Sequence, residues 1–91
     1  MEYVYEKNRI YLKNENKEIL AEVTFPNIDE NTVEINHTFV DSSLRGKGIA
    51  NELLVNLVNY IKTNNLKCIP TCSYAKAWFE KNPNEKGLLK E

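Results

Sequence analysis

The sequence predicts a single α/β (α+β) domain over residues 1–91, with a mostly antiparallel sheet, one parallel β–α–β crossover and two main helices. Three observations carry this. TVEINHTFV (Thr32–Val40) alternates apolar and polar side chains as a strand does, and Ile49, Leu53, Leu57 and Ile61 recur every four residues as on a helix. LKCIP (Leu66–Pro70) then follows that helix as a second apolar strand, so the connection is a crossover and the two strands are expected to lie parallel.

The elements follow in order. Tyr3–Tyr5 and RIYLK (Arg9–Lys13) have strand character at one edge. Polar NENKE makes a turn, and ILAEVTF (Ile19–Phe25) is the return strand of a hairpin. A loop from Pro26 to Asn31 leads into TVEINHTFV, with Val33, Ile35, His37 and Phe39 on one face and Glu34, Asn36, Thr38 and Val40 on the other. The simplest arrangement is an antiparallel meander. In the helix, Leu54 and Val58 widen the apolar stripe, which must pack on the sheet; each such side chain contributes ~1.5–3 kcal/mol when fully buried. KTNN closes the helix, with Asn64 or Asn65 suited to a left-handed cap. SYAKAWFEKN (Ser73–Asn82) is the second helix, capped by Ser73 or Thr71 and stopped before Pro83, with Trp78 and Phe79 on its core face. The tail NEKGLLKE is expected to be loosely held.

A chain this short buries only ~60–65 % of its unfolded surface. Twelve basic residues against thirteen acidic ones give a net charge of −1, without the basic excess of a nucleic-acid partner. No apolar run approaches the ~18–20 residues of a membrane span, and MEYVYEKNRI is no signal peptide, so a cytoplasmic monomer or weak dimer is expected. In that compartment Cys68 and Cys72 are free thiols. Four residues of strand span roughly 13 Å, too far for a disulfide between them unless the chain turns sharply.

The chemistry gathers where Arg45-Gly46-Lys47-Gly48 opens the long helix. The first turn of a helix carries N–H groups without partners and a positive macrodipole end, which together favour an anion. Gly46 and Gly48 let the backbone approach it closely, and Arg45 and Lys47 add charge at the rim. The plainer reading is a helix start with two incidental glycines. Two familiar phosphate loops do not fit. No glycine stands at the Walker spacing, and the dinucleotide pattern fails at its third glycine, where Asn51 stands.

Arg45-x-x-Gly48-x-Ala50 does match the R/Q-x-x-G-x-G/A signature of the GNAT superfamily of N-acetyltransferases. With His37-Thr38-Phe39-Val40, Arg45-Gly46-Lys47-Gly48-Ile49-Ala50 and Pro70-Thr71-Cys72-Ser73, the chain resembles a family of very small GNAT-like proteins. The resemblance implies a minimal GNAT fold and acetyl-coenzyme A (acetyl-CoA) as cofactor. It implies that the backbone of Arg45, Gly46, Lys47, Gly48, Ile49 and Ala50 cradles the pyrophosphate, and that the pantetheine arm runs beside Phe39 and Val40. The implied activity is acetyl transfer to an unidentified amine or other small nucleophile.

The chain departs from the larger superfamily in two ways. Phe79 stands where a tyrosine often protonates the departing thiolate, and Cys72 stands where an asparagine is usual. The elements that build much of the acceptor pocket in larger members are also absent. Cys72 sits between a strand and a helix start, whose positive potential favours a thiolate, so it is a candidate acyl carrier through a thioester. The plain alternative is a packed thiol, which is the expectation for Cys68. His37 is the only histidine, and is a candidate general base or the group that deprotonates Cys72; alternatively it is a packed, hydrogen-bonded side chain. Cys68, Cys72 and His37 do not have zinc-site spacing, so no metal is expected. Glu34, Asn36 and Thr38 are within reach of an amine acceptor or form a solvated face. The missing tyrosine also suits a second reading, a non-catalytic acyl-CoA-binding module.

Overall fold

The computed structural model describes residues 1–90. Seven strands and two helices run in the order β1 (Glu2–Glu6), β2 (Arg9–Lys13), β3 (Ile19–Thr24), β4 (Asn27–Asp29), β5 (Thr32–Ile35), β6 (His37–Val40), α1 (Ile49–Thr63), β7 (Lys67–Pro70) and α2 (Ser73–Lys81). They form two sheets: an antiparallel one in the order β1-β2-β3-β6, and a smaller one in the order β4-β5-β7.

The split between the sheets lies inside the stretch whose alternation predicts one strand. The chain bends at Asn36, whose N–H donates to Thr24 O (3.3 Å) and whose side-chain oxygen accepts from Thr24 Oγ1 (2.6 Å). Beyond that point the alternation reverses. Val33 and Ile35 are buried, but the next side chains to turn inward are Thr38 and Val40, while His37 and Phe39 face solvent. The expected single face of Val33, Ile35, His37 and Phe39 is therefore corrected: one residue absorbed at a bend flips every later side chain. The parallel crossover holds for β5 alone, which pairs with β7 from Thr32↔Lys67 to Ile35↔Pro70. β6 instead pairs antiparallel with β3, from Thr24↔His37 to Ala21↔Val40.

α1 covers the gap. Leu53, Leu54, Leu57 and Ile61 are fully buried, in one cluster with Ile10, Leu12, Ala21, Val23, Phe25, Val33 and Ile35 from both sheets. Asn65, at φ 55°, takes the left-handed position that ends the helix. α2 adds Ala75, Trp78 and Phe79 to the core, but its cap is neither Ser73 nor Thr71. Cys72 is the N-cap, and its Sγ accepts from Ala75 N–H at 3.4 Å. The tail is also held more firmly than expected. Residues Pro83–Leu88 form a 3₁₀ helix, Lys62 Nζ reaches Glu85 Oε1 (2.9 Å), Lys67 Nζ donates to Gly87 O (2.6 Å), and Lys90 N–H donates to Cys68 O (2.9 Å).

Both cysteines are free, and Cys68 lies in the core as expected. Burial pushes its thiol up to about 12 from 9.0. Between those values the unfolded chain loses a proton that the folded one keeps, so stability falls as pH rises through this window. Thermal unfolding followed from pH 8 to 11 should show a falling midpoint above about pH 9. Cys68→Val, which removes this proton, should flatten that fall; an unchanged slope would count against the thiol as its source.

No helix among the described residues is long and apolar enough to cross a membrane, and no cluster of three His, Cys, Asp or Glu is placed to hold a metal.

Candidate functional site

The chain leaves β6 at Val40 and is pinned before it reaches the glycines. Asp41 accepts from the Ser43 hydroxyl and from Ser43 N–H (3.0 Å), and these bonds, the hydroxyl's first, hold its carboxyl below the usual range. The pinned 3₁₀ turn Ser42–Leu44 buries Leu44 and accepts Arg45 N–H on Ser42 O (3.3 Å). Arg45 therefore has only its guanidinium to offer a ligand, a correction to the expectation that the main-chain cradle begins there. The amides that follow are different. Among the described residues, no acceptor reaches the N–H groups of Gly46, Lys47, Gly48, Ile49 or Ala50, and the first helical bond is Glu52 N–H to Gly48 O (3.0 Å).

Two features keep these amides open. Gly46 (φ 81°) and Gly48 (φ 75°) hold left-handed conformations, and Gly48 is an N-cap with no side chain to satisfy the helix from within. Gly46, Gly48, Ile49 and Ala50, though not Lys47, border a cleft of about 190 Å³ that Val40, Leu44 and Tyr74 also line. Glu52, one turn into α1, accepts a hydrogen bond on Oε1 from the Tyr3 hydroxyl at 2.6 Å. Burial, then that hydrogen bond, raises Tyr3 well above its ordinary range. Arg45 and Lys47 are exposed at the rim.

One edge of β6 is also unpaired. Asp41 N–H donates to Leu20 O (2.7 Å), so by strand alternation Phe39 N–H points to β3 as well, while the amides of Thr38 and Val40 point to the open edge. Across that opening lies Cys72, half-buried, whose Sγ meets Thr38 Oγ1 at 3.4 Å. Cys72 N–H and Thr71 N–H both donate to Ile35 O (3.2 and 3.0 Å), which ties the start of α2 to the bend between the two sheets.

A family model described as GCN5-related N-acetyl-transferase matches residues 9–88. The chain belongs to this family. Members of the GCN5-related N-acetyltransferase family are acetyltransferases that use acetyl-CoA. A GCN5-like protein from Staphylococcus aureus, solved by NMR, is 36 % identical and superposes with a TM-score of 0.80, over 98 % of this chain and 87 % of that one. A GNAT acetyltransferase from Elizabethkingia anophelis, crystallised with acetyl-CoA bound, shares the fold at a TM-score of 0.62 and 20 % identity, over 82 % of this chain and 51 % of that one. Protein NATD1 of Xenopus tropicalis is 30 % identical over 63 residues. That match takes in 69 % of this chain and 58 % of the relative, under two thirds of its length.

Within the family frame, the structure gathers Val40, Gly46, Gly48, Ile49 and Ala50 at one cleft. Phe39 is not with them: its side chain is 40 % exposed on the outer sheet face. His37 shares that outer face, opposite to Thr38 on the same strand, so it does not meet Cys72; the hydroxyl in contact with the thiol belongs to Thr38. Glu34 and Asn36 are engaged, by Thr71 Oγ1 and Thr24 Oγ1 respectively (2.6 Å each). Sequence reasoning misses Tyr74, which borders the cleft from the first turn of α2. Its one available signal is the four-residue spacing to Trp78, which puts both on one helical face.

Proposed function

We propose that this chain transfers an acetyl group from acetyl-CoA to a small nucleophile such as an amine, with Cys72 as an intermediate acyl acceptor. The observation that carries the reading is the run of amides from Gly46 to Ala50, without partners among the described residues, at a loop whose Gly46, Gly48, Ile49 and Ala50 line a cleft at the start of α1. Those N–H groups fit a diphosphate, since each hydrogen bond to a charged group contributes about 1.5–3 kcal/mol. Arg45 and Lys47 add long-range attraction, and the open edge of β6 at Thr38 and Val40 supplies main-chain groups for an extended amide-bearing arm. Bound there, the coenzyme supplies an activated acetyl thioester.

Cys72 has the placement of an acceptor for that acetyl group. Its sulfur caps α2, receives Ala75 N–H, and touches the Thr38 hydroxyl beside the open edge. Exchange of one thioester for another is balanced: the Cys72 S–C bond forms as the coenzyme's S–C bond breaks, and the departing coenzyme thiolate takes up the proton that Cys72 gives up. Attack by an amine then breaks the Cys72 S–C bond, and the proton lost by the amine restores the Cys72 thiol. His37, on the outer face, is placed to act as a base only toward an acceptor arriving from that side.

Incubation with acetyl-CoA followed by peptide mass spectrometry is expected to place one acetyl group on Cys72, and none there in Cys72→Ser. Full turnover by Cys72→Ser would remove the thioester route and leave direct transfer. The second reading, a non-catalytic acyl-CoA-binding module, is favoured by Phe79, which fills the family's acid position with a ring that is 1 % exposed and cannot give a proton. Calorimetric binding of coenzyme A with no thiol release in any acceptor screen would select it.

A further inference from the structure

Asn51 interrupts the dinucleotide pattern in the sequence, and nothing above gives it a role. In the structure its side-chain oxygen accepts a hydrogen bond from Trp78 Nε1 at 2.7 Å. An indole N–H only donates, so it determines which end of the asparagine amide faces α2. The oxygen faces the indole, and Nδ2 is turned the other way. Asn51 is exposed, no acceptor among the described residues meets Nδ2, and the residue lines the same cleft as Gly46, Gly48, Ile49 and Ala50, so Nδ2 is open to a ligand there. Trp78 is itself immobilised: 6 % exposed and packed edge-on against Phe79, with ring centroids 5.1 Å apart.

We propose that Asn51 is a further ligand of the diphosphate, its Nδ2 donating to a phosphate oxygen beside the loop amides, with Trp78 as the positioning residue that keeps the amide in its donor orientation. This rests on the coenzyme-binding reading of the loop. It adds a side-chain donor to a site otherwise built from main chain. It also gives a reason for asparagine over aspartate: a carboxylate would accept from the indole equally well, but would set a negative charge against the ligand.

The test uses the wild-type protein and one near-isosteric variant. In ¹⁵N-resolved spectra, the Asn51 side-chain NH₂ pair is expected to shift on adding coenzyme A or inorganic pyrophosphate, and to stay in place on adding pantetheine, which lacks phosphate. Asn51→Asp is expected to raise the Kd for coenzyme A by at least about tenfold, the loss of one charge-assisted hydrogen bond. Its thermal unfolding should be unchanged near neutral pH, because the indole keeps its acceptor. Loop amides that respond to coenzyme A beside an unmoved Asn51 side chain, or wild-type affinity in Asn51→Asp, would overturn the inference and leave the binding reading standing. Silence of both the loop amides and the side chain would bring down both.

Discussion

Gly48→Val is expected to abolish measurable coenzyme A binding while costing the fold about 2 kcal/mol. Gly48 sits at φ 75° as the N-cap of α1, a left-handed conformation that L-residues avoid and β-branched ones avoid most. A Cβ there would meet nothing within 4 Å, so the penalty comes from backbone strain and not from a clash. The strain can be relieved only by turning the peptide planes on either side. That motion withdraws the amides of Gly48 and Ile49 from the cleft, and the new side chain occupies the open space a ligand needs. Losing two hydrogen bonds to a charged group, at about 1.5–3 kcal/mol each, weakens binding by at least about a hundredfold. Calorimetric titration of wild type, Gly48→Asn and Gly48→Val should rank them in that order, because asparagine tolerates the left-handed region better than valine. Binding by Gly48→Val within about threefold of wild type would place the diphosphate elsewhere.

The second large effect is on stability. Phe25→Ala should destabilise the domain by about 3–5 kcal/mol, a large share of the roughly 5–14 kcal/mol available to 91 residues. Phe25 is fully buried and packs on Tyr60 of α1, with ring centroids 5.5 Å apart. It also stands where the chain passes from the first sheet toward the second: its N–H donates to Asn8 O (2.9 Å), and its carbonyl accepts from Asn8 Nδ2 (2.8 Å). With its backbone fixed at both groups, the site has little freedom to collapse around the void. Urea denaturation of the two proteins in parallel measures the difference. A loss under about 1.5 kcal/mol would mean that the two sheets and α1 repack around the missing ring.

Much of the fold is legible in the sequence because it depends on local pattern. The four-residue recurrence from Ile49 to Ile61 fixes which face of α1 is buried, since helical geometry admits one answer for that spacing. The glycine junction is legible for the same reason: two glycines and two cations at a helix start describe an anion-binding geometry within six residues. What stays hidden is set by partners distant in sequence. TVEINHTFV reads as one alternating strand, with His37 and Val40 out of place, yet Asn36 breaks it, because Thr24 on a neighbouring strand offers both an acceptor and a donor there. That bend moves His37 to the outside and brings Thr38 to Cys72. No reading of alternation along a single strand anticipates a reversal imposed from another strand.

The sequence alone therefore determined the two helices, the outer strands, the buried stripe of α1, the glycine loop and the family that the loop's residues point to, since each is a matter of spacing between near neighbours. It did not show that Asn27–Asp29 forms β4 or that Thr32–Val40 divides into β5 and β6. Only the tertiary structure decided which side chains come together at the candidate site: Thr38 with Cys72, Trp78 with Asn51, and Tyr74 in the lining of one cleft with the glycine loop. The first two of these pairings join residues 34 and 27 positions apart. They arise because the strand splits between two sheets at a single bend and α2 is tied to that bend through Ile35 O, and no local rule encodes a meeting of segments so far apart in sequence.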